Sequence, residues 1–300
     1  MSFGRLVPVV FVLLWSSGWV AAEFGAEVSG PLTFLVIRFA VAILFFAAIC
    51  ILSGARWPSD RRQLGRILVS GLLLHGGYLG PVWWAIAHGV PAGLSGIIAG
   101  LQPLLTALAA PYVLDERLSG VQKAGLVLGF VGVALAVLPK LMHQGAAGVS
   151  WFPVLVNIVG MVAVTAGTIY QKRFLQGTDI RWAATLQYLA ALMLIMPFAF
   201  LLEPFHVVFG WQFVAVLAWS VLGTSVAAIL LLLYLLNKGQ VSRVASLVYL
   251  VPPLAALQAW IFLGESLTPL VIAGTAIVVA GVYLANYKGK EPAAPTAAAE

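Results

Sequence analysis

The stretch PLLTALAAPYVLDERLSGVQKAGLVLGFVGVALA, Pro103 to Ala136, returns 149 residues later as PPLAALQAWIFLGESLTPLVIAGTAIVVAGVYLA, Pro252 to Ala285. The two align without a gap and share fourteen of thirty-four positions. Apolar matches would arise by chance in so hydrophobic a chain, but Pro103 falls on Pro252, Glu116 on Glu265, Gly125 on Gly274 and Gly132 on Gly281. Upstream, the same offset sets Gly18 on Gly167 and Ser16 on Thr165, which extends the repeat to the first apolar segment of each half. An internal repeat of this length decides the architecture before any local feature does.

Hydrophobic residues fill 62% of 300 positions and charged ones 9%, against roughly a quarter charged in ordinary soluble domains. The solvent of this chain is therefore a bilayer. Ten apolar runs, from Arg5–Ala22 to Pro269–Tyr287, each approach the ~20 residues needed to cross a hydrocarbon core. The expected fold is an all-α polytopic membrane protein of ten transmembrane helices, built as two five-helix repeats around a central cavity. Residues 1–146 form the first repeat, 147–287 the second, and 288–300 a disordered Ala/Pro tail. Arg5 ahead of an apolar run ending in Ala21 and Ala22 resembles a cleaved signal peptide, but the second half needs a partner for its own first helix, which argues for retention. The lone Cys50 excludes an internal disulfide framework.

Sixteen Lys and Arg residues report sidedness. With the N-terminus in the cytoplasm, fourteen fall in cytoplasmic segments, Lys140 alone falls outside, and Arg38 lies within a helix. Both termini are then cytoplasmic, at the inner membrane. Five spans per half is odd, so the second half enters from the opposite side, related to the first by an axis in the membrane plane. The charges agree. Arg56, Arg61, Arg62 and Arg66 align with Phe205, Gly210, Trp211 and Ala215, while Lys172 and Arg173 align with Glu23 and Phe24. Topology accounts for the net charge of +6, and no nucleic-acid partner is needed to explain it.

Inverted halves can expose a midplane site to each compartment in turn. The fifth and tenth helices, rich in Gly125, Gly129 and Gly132, suit close packing rather than substrate contact. Pro103, Pro252 and Pro253 each delete a helical hydrogen bond, which would bend the fourth and ninth helices and leave the carbonyls of Ala99, Val248 and Tyr249 poorly satisfied beside a wet pocket. Glu116 and Glu265, at helix ends just ahead of the next helix, are expected to cap and fix helical hairpins.

Trp15-Ser16-Ser17-Gly18, Pro31 with Arg38, the segment from Pro103 to Leu114-Asp115-Glu116-Arg117-Leu118 and the Gly-rich fifth helix resemble the repeat of the drug/metabolite transporter superfamily, the EamA-type ten-helix permeases. The match covers nearly the whole chain, and the overall sequence resembles the YddG-type exporters. It implies a small-molecule exporter for amino acids, aromatic ones included, or for flat cationic compounds. The second copy departs from the pattern, with Gly264 for Asp115 and Gln187 for Arg38, so the repeats are not equivalent in function.

The residues expected to bind substrate are Trp15, Ser16, Trp19, His75, Tyr78, Trp83, Gln102, Thr165, Tyr234 and Tyr249. The rings could stack on an aromatic substrate or attract a cation, and the polar groups could exchange hydrogen bonds with it or between helices. His75 and Tyr78 share a helix face, and His75 offers the one route for proton exchange near neutral pH at depth. Arg38 is a structural charge that requires a partner, whether backbone carbonyls, Glu23, Glu27 or a substrate carboxylate. No Asp or Glu lies near the middle of any run. The expected mechanism is accordingly facilitated diffusion, with proton coupling as the alternative. No cofactor or metal is expected. An intramembrane lipid-modifying enzyme would need a His-Glu-x-x-His, Gly-x-Ser-x-Gly or paired-carboxylate constellation, and the chain has none. Two halves suffice as a monomer, with a homo-oligomer as the alternative.

Overall fold

A computed structural model describes residues 3–58, 60–114, 118–142, 148–237 and 247–287. The expectations for Glu116 and for the tail after 287 fall outside these residues. The described chain makes ten apolar passes. Pass 1 comprises helices Phe3–Ser16 and Gly18–Val28, pass 2 Pro31–Leu52, pass 3 Arg61–Ala87, pass 4 Ala92–Ile98 and Leu101–Leu114, and pass 5 Gly120–Met142. Pass 6 is Trp151–Phe174, pass 7 Ile180–Leu202, pass 8 Trp211–Ala218 continuing to Asn237, pass 9 Val251–Leu263 and pass 10 Pro269–Ala285. Seven of these are long and apolar enough to cross a membrane, and passes 8, 9 and 10 are shorter apolar helices. Pass 2 shows why such a helix forms. Twenty-two almost wholly apolar residues begin with Pro31 at the first helical position, where the missing N–H costs nothing, and at 1.5 Å per residue they reach about 33 Å.

Pass 1 runs farther than its apolar segment, to Val28 rather than Ala22. Glu23 and Glu27 therefore belong to a helix instead of a loop. The extension is held by packing, with Gly25 lying under the Trp83 ring and leaving no room for a side chain.

Contacts between equivalent helices establish the inversion directly. Along passes 5 and 10, Gly125 meets Leu284 and Ala285, Gly132 meets Val278, Gly281 meets Gly129, and Gly274 meets Ala136. One helix climbs as its repeat mate descends. Every contact also has its counterpart under the 149-residue exchange, since 132 against 278 maps onto 281 against 129. Such a self-complementary contact is what a two-fold requires. Passes 4 and 9 cross antiparallel too, Gly93 on Ala256 and Ala259, Gly96 on Ala255, Gly100 on Pro252. So do passes 2 and 7, where Thr33 meets Glu203, Phe46 meets Tyr188 and Cys50 meets Thr185. Pass 3 also packs on pass 6 and pass 8 on pass 1, two pairings that exchange with one another, and pass 3 lies along pass 7 as well.

Loops at the two faces carry different clips. On the face opposite the N-terminus, Ser29 bridges Val207, and the Glu203 carboxylate accepts from the backbone N–H of Leu32 and Thr33, both at 2.8 Å, and from the Thr33 hydroxyl at 2.7 Å. On the N-terminal face, Arg181 donates to Ser53 Oγ at 2.7 Å while pairing with Asp179 at 2.6 Å, and Trp182 Nε1 donates to the Ala55 carbonyl at 3.0 Å. The Arg181 guanidinium holds the Asp179 carboxyl below its ordinary range. Its contribution is present at pH values above that range and is lost as pH falls through the depressed value.

The glycine seam generates a prediction. A Cβ at Gly132 would lie 2.6 Å from the Val278 backbone nitrogen, whereas one at Gly120 would meet nothing within 4 Å. Gly132→Leu should cost about 1–3 kcal/mol through overpacking and lower the melting temperature in detergent by several degrees. Gly120→Ala should leave that temperature unchanged, and equal melting of the two variants would contradict the seam.

Candidate functional site

Three helix breaks meet at the centre of the molecule. Pass 1 breaks at Ser17, pass 4 between Ile98 and Leu101, and pass 9 ahead of Val251. The prolines do not bend continuous helices as their positions led one to expect. Pro252 and Pro253 occupy the first turn of Val251–Leu263, and Pro103 occupies the first turn of Leu101–Leu114. A proline there gives up a donor that has no helical acceptor in any case. Each helix is interrupted one turn earlier instead. The Ala99 carbonyl is not left poorly satisfied, because it accepts from Gln102 N at 3.1 Å, and Gly100 N donates to the Ile97 carbonyl at 2.9 Å.

A cavity opens where the breaks converge. Trp15 and Trp19 line it from pass 1, Tyr78 from pass 3, Ala99, Gly100, Gln102 and Pro103 from pass 4, and Val248, Tyr249, Val251 and Pro252 from the start of pass 9. Val278, Val279 and Val282 complete the wall, so pass 10 touches the cavity as well as packing on pass 5. Its glycine pattern concealed this, since the packing face and the cavity face alternate along one apolar helix. The enclosed volume is about 20 Å³, room for roughly one water. Toward the face opposite the N-terminus the cavity is closed by the antiparallel crossing of passes 4 and 9 at Gly93 and Gly96. Glu265 fastens that crossing by accepting from Gly93 N at 3.2 and 3.1 Å. Its carboxylate thus caps a helix of the opposite repeat. Burial pushes the Glu265 carboxyl up, and the Gly93 N–H opposes that shift.

Five expected site residues are gathered here, Trp15, Trp19, Tyr78, Gln102 and Tyr249. Gln102 Nε2 reaches Thr168 Oγ1 on pass 6 at 3.4 Å. Trp19 is 4% exposed, and its Nε1–H has no acceptor among the described residues, a donor left unmet at a cost of about 1–3 kcal/mol. The other five lie elsewhere. Ser16 is buried and donates to the Leu13 carbonyl at 3.2 Å, and Thr165 donates to Met161 at 2.7 Å. In an apolar helix a hydroxyl without a cavity to face returns its proton to its own backbone. Trp83 is 2% exposed and stacks on Phe34 at 5.1 Å. His75 stacks on Tyr188 at 4.4 Å, and Tyr234, 36% exposed, is not among the described residues of the cavity wall.

His75 belongs to a second feature that the sequence did not announce. Pass 3 carries a π-helical segment, Leu72–Gly76, and pass 8 another, Trp219–Ala227, at equivalent positions of the two repeats. A π-turn lodges an extra residue and redirects the side chains after it. In pass 8 the Thr224 and Ser225 hydroxyls both return to the Ser220 carbonyl, at 2.7 and 3.1 Å. From pass 2, Arg38 reaches these same hydroxyls at 3.0 and 3.1 Å. Its repeat mate Gln187, from pass 7, makes the corresponding reach to pass 3, donating to Ser70 Oγ at 2.6 Å. Arg38 is 5% exposed, sits 5.5 Å from the Trp83 ring centroid and has no carboxylate partner among the described residues, so the carboxylates Glu23 and Glu27 do not pair with it.

Replacing Arg38 should separate shape from charge. Arg38→Gln reproduces what the second repeat already holds and should cost about 1 kcal/mol, while Arg38→Ala leaves two hydroxyls and a ring face bare and should cost about 3 kcal/mol. Thermal unfolding in detergent ranks the two, and a reversed order would contradict the hydroxyl-anchoring role.

The EamA-like transporter family model matches residues 2–138 and again 151–287, two copies separated by the same 149 residues as the sequence repeat. A probable amino-acid metabolite efflux pump of Salmonella typhimurium is 27% identical over 93% of both chains. A probable terminal-alkyne amino-acid exporter of Streptantibioticus cattleyicolor is 26% identical over 93% of this chain and 91% of its own. The uncharacterized transporter YvbV of Bacillus subtilis is 29% identical over 95% and 92%. A solved crystal structure superposes with a TM-score of 0.65 at 21% identity, covering 94% of this chain and 95% of the other, which shows a shared fold. With ten apolar passes, two inverted copies and a cavity where their broken helices meet, the chain belongs to the EamA-like transporter family.

Proposed function

We propose that this multi-pass membrane transporter exports neutral and aromatic amino acids across the inner membrane, both termini lying in the cytoplasm. The unmet Nε1–H of Trp19, a buried residue of the cavity wall, carries the reading. A buried donor in a dry site selects a ligand that brings an acceptor, and an α-carboxylate is the strongest acceptor a small metabolite offers. Trp15, Tyr78 and Tyr249 supply ring faces for the side chain. A flat organic cation would use the same rings but would leave the indole donor bare, so the amino-acid reading is favoured. The names of the Salmonella and Streptantibioticus relatives point the same way.

Transport proceeds by alternating access. The closed cavity admits a water but not an amino acid, so the site is filled only when helices part. The two halves, 1–146 and 147–287, are equal enough in structure to trade the open and closed roles. Among the described residues the cavity wall carries no carboxylate, and His75 lies outside it against Tyr188. Flux therefore follows the substrate gradient, and a single copy of the chain suffices.

Counterflow of labelled amino acids in proteoliposomes tests the proposal. Neutral amino acids should exchange, an imposed pH gradient should not drive them uphill, and Trp19→Phe should raise the half-saturating concentration about tenfold, a charged hydrogen bond being worth about 1.5 kcal/mol. Exchange of quaternary ammonium compounds in place of amino acids would overturn the substrate assignment. Tags at the two ends should be shielded alike in sealed vesicles, and opposite exposure would overturn the orientation.

A further inference from the structure

A second cavity, of about 110 Å³, lies apart from the first, at the face opposite the N-terminus. Lys140 from the end of pass 5, Glu265 and Ser266 from the turn between passes 9 and 10, and Gly93 from the start of pass 4 are on its wall, over an apolar floor that includes Leu94 and Val271. Lys140 is the one Lys or Arg in the segments of that face, against the charge bias of the rest of the chain. Its ammonium and the Glu265 carboxylate are close enough to feel one another, yet no ion pair joins them, the pair formed among the described residues being Arg181 with Asp179. Glu265 is held in place by Gly93 N at 3.2 and 3.1 Å. An anion and a cation facing one cavity without closing on each other are complementary to a ligand that carries both charges as substituents of one carbon.

We propose that this cavity is a second substrate site, binding the zwitterionic head of an α-amino acid with its carboxylate on Lys140 and its ammonium on Glu265. The apolar floor takes the side chain. The inference rests on the amino-acid reading above and adds a stop on the far side of the seal formed by passes 4 and 9. Substrate leaving the central cavity would be held there before release, and substrate from outside would occupy it first.

Equilibrium binding of a labelled neutral amino acid to the purified transporter in detergent tests the assignment. The unaltered protein should bind two molecules per chain. Lys140→Gln and Glu265→Gln should each bind one, the latter keeping an oxygen for Gly93, whereas Lys140→Arg should retain two. Trp19→Ala should lose the central site and keep this one. The methyl ester of the same amino acid, which lacks the carboxylate, should fail to occupy the Lys140 site. If Lys140→Gln and Glu265→Gln both bind as the unaltered protein does, the second site is refuted while the transport proposal stands. If the unaltered protein binds no amino acid, both fall together.

Discussion

Backbone polar groups in hydrocarbon must find partners within the protein or in a cavity, because lipid offers none. Everything at the centre of this molecule follows from that constraint. Passes 1, 4 and 9 all break, and the breaks at Ser17, at Ala99–Gly100 and before Val251 come together instead of facing lipid. Some freed groups are taken up by tight turns, as the Ala99 carbonyl is by Gln102. The Leu13 carbonyl, which keeps its helical bond from Ser17 N at 3.2 Å, also accepts from Gln258 Nε2 at 3.1 Å. The cavity is thus the place where helices can afford to stop, and the groups that line it are those the interrupted helices release.

The same economy explains the seam between passes 5 and 10. Lipid tails are as apolar as leucine, so helix association depends on close approach rather than on exclusion of water. Glycines set at equivalent positions in both copies let the two backbones touch, and the two-fold makes one set of residues serve both sides. An antiparallel seam on the pseudo-axis leaves the remaining helices of each half paired across it, which places passes 1, 3, 4 and 9 around the centre.

Symmetry in the backbone coexists with asymmetry in the chemistry. Both third passes of the repeats carry a π-turn at the same position, so the feature belongs to the duplicated unit. The side chains that address them have diverged to Arg38 on one side and Gln187 on the other. The clips at the faces have diverged likewise, into the Glu203 carboxylate at one face and the Arg181 and Trp182 donors at the other. The duplicated backbone is kept in both halves, while the polar side chains around it differ.

The ten passes, the tandem repeat and its inversion were legible in the chain, because an apolar run of about twenty residues and a basic-residue bias are properties of sequence order that the bilayer reads directly. Of the aromatic residues expected at the site, Trp15, Trp19, Tyr78 and Tyr249, from passes 1, 3 and 9, line the cavity, while Trp83 and Tyr234 do not. What the sequence could not say was which face each polar residue would present. Ser16, Thr165, Trp83 and His75 have the same composition-level credentials as Trp19 and Tyr78, yet packing turned them toward backbone, Phe34 or Tyr188. The prolines likewise marked where helices would fail without revealing whether they would bend or break. The π-turns shift the facing of passes 3 and 8, and the breaks reset it in passes 1, 4 and 9. Order along the chain therefore determined how many helices there are and how they are paired, while the side chains that meet at the centre were decided by the packing of ten helices at once.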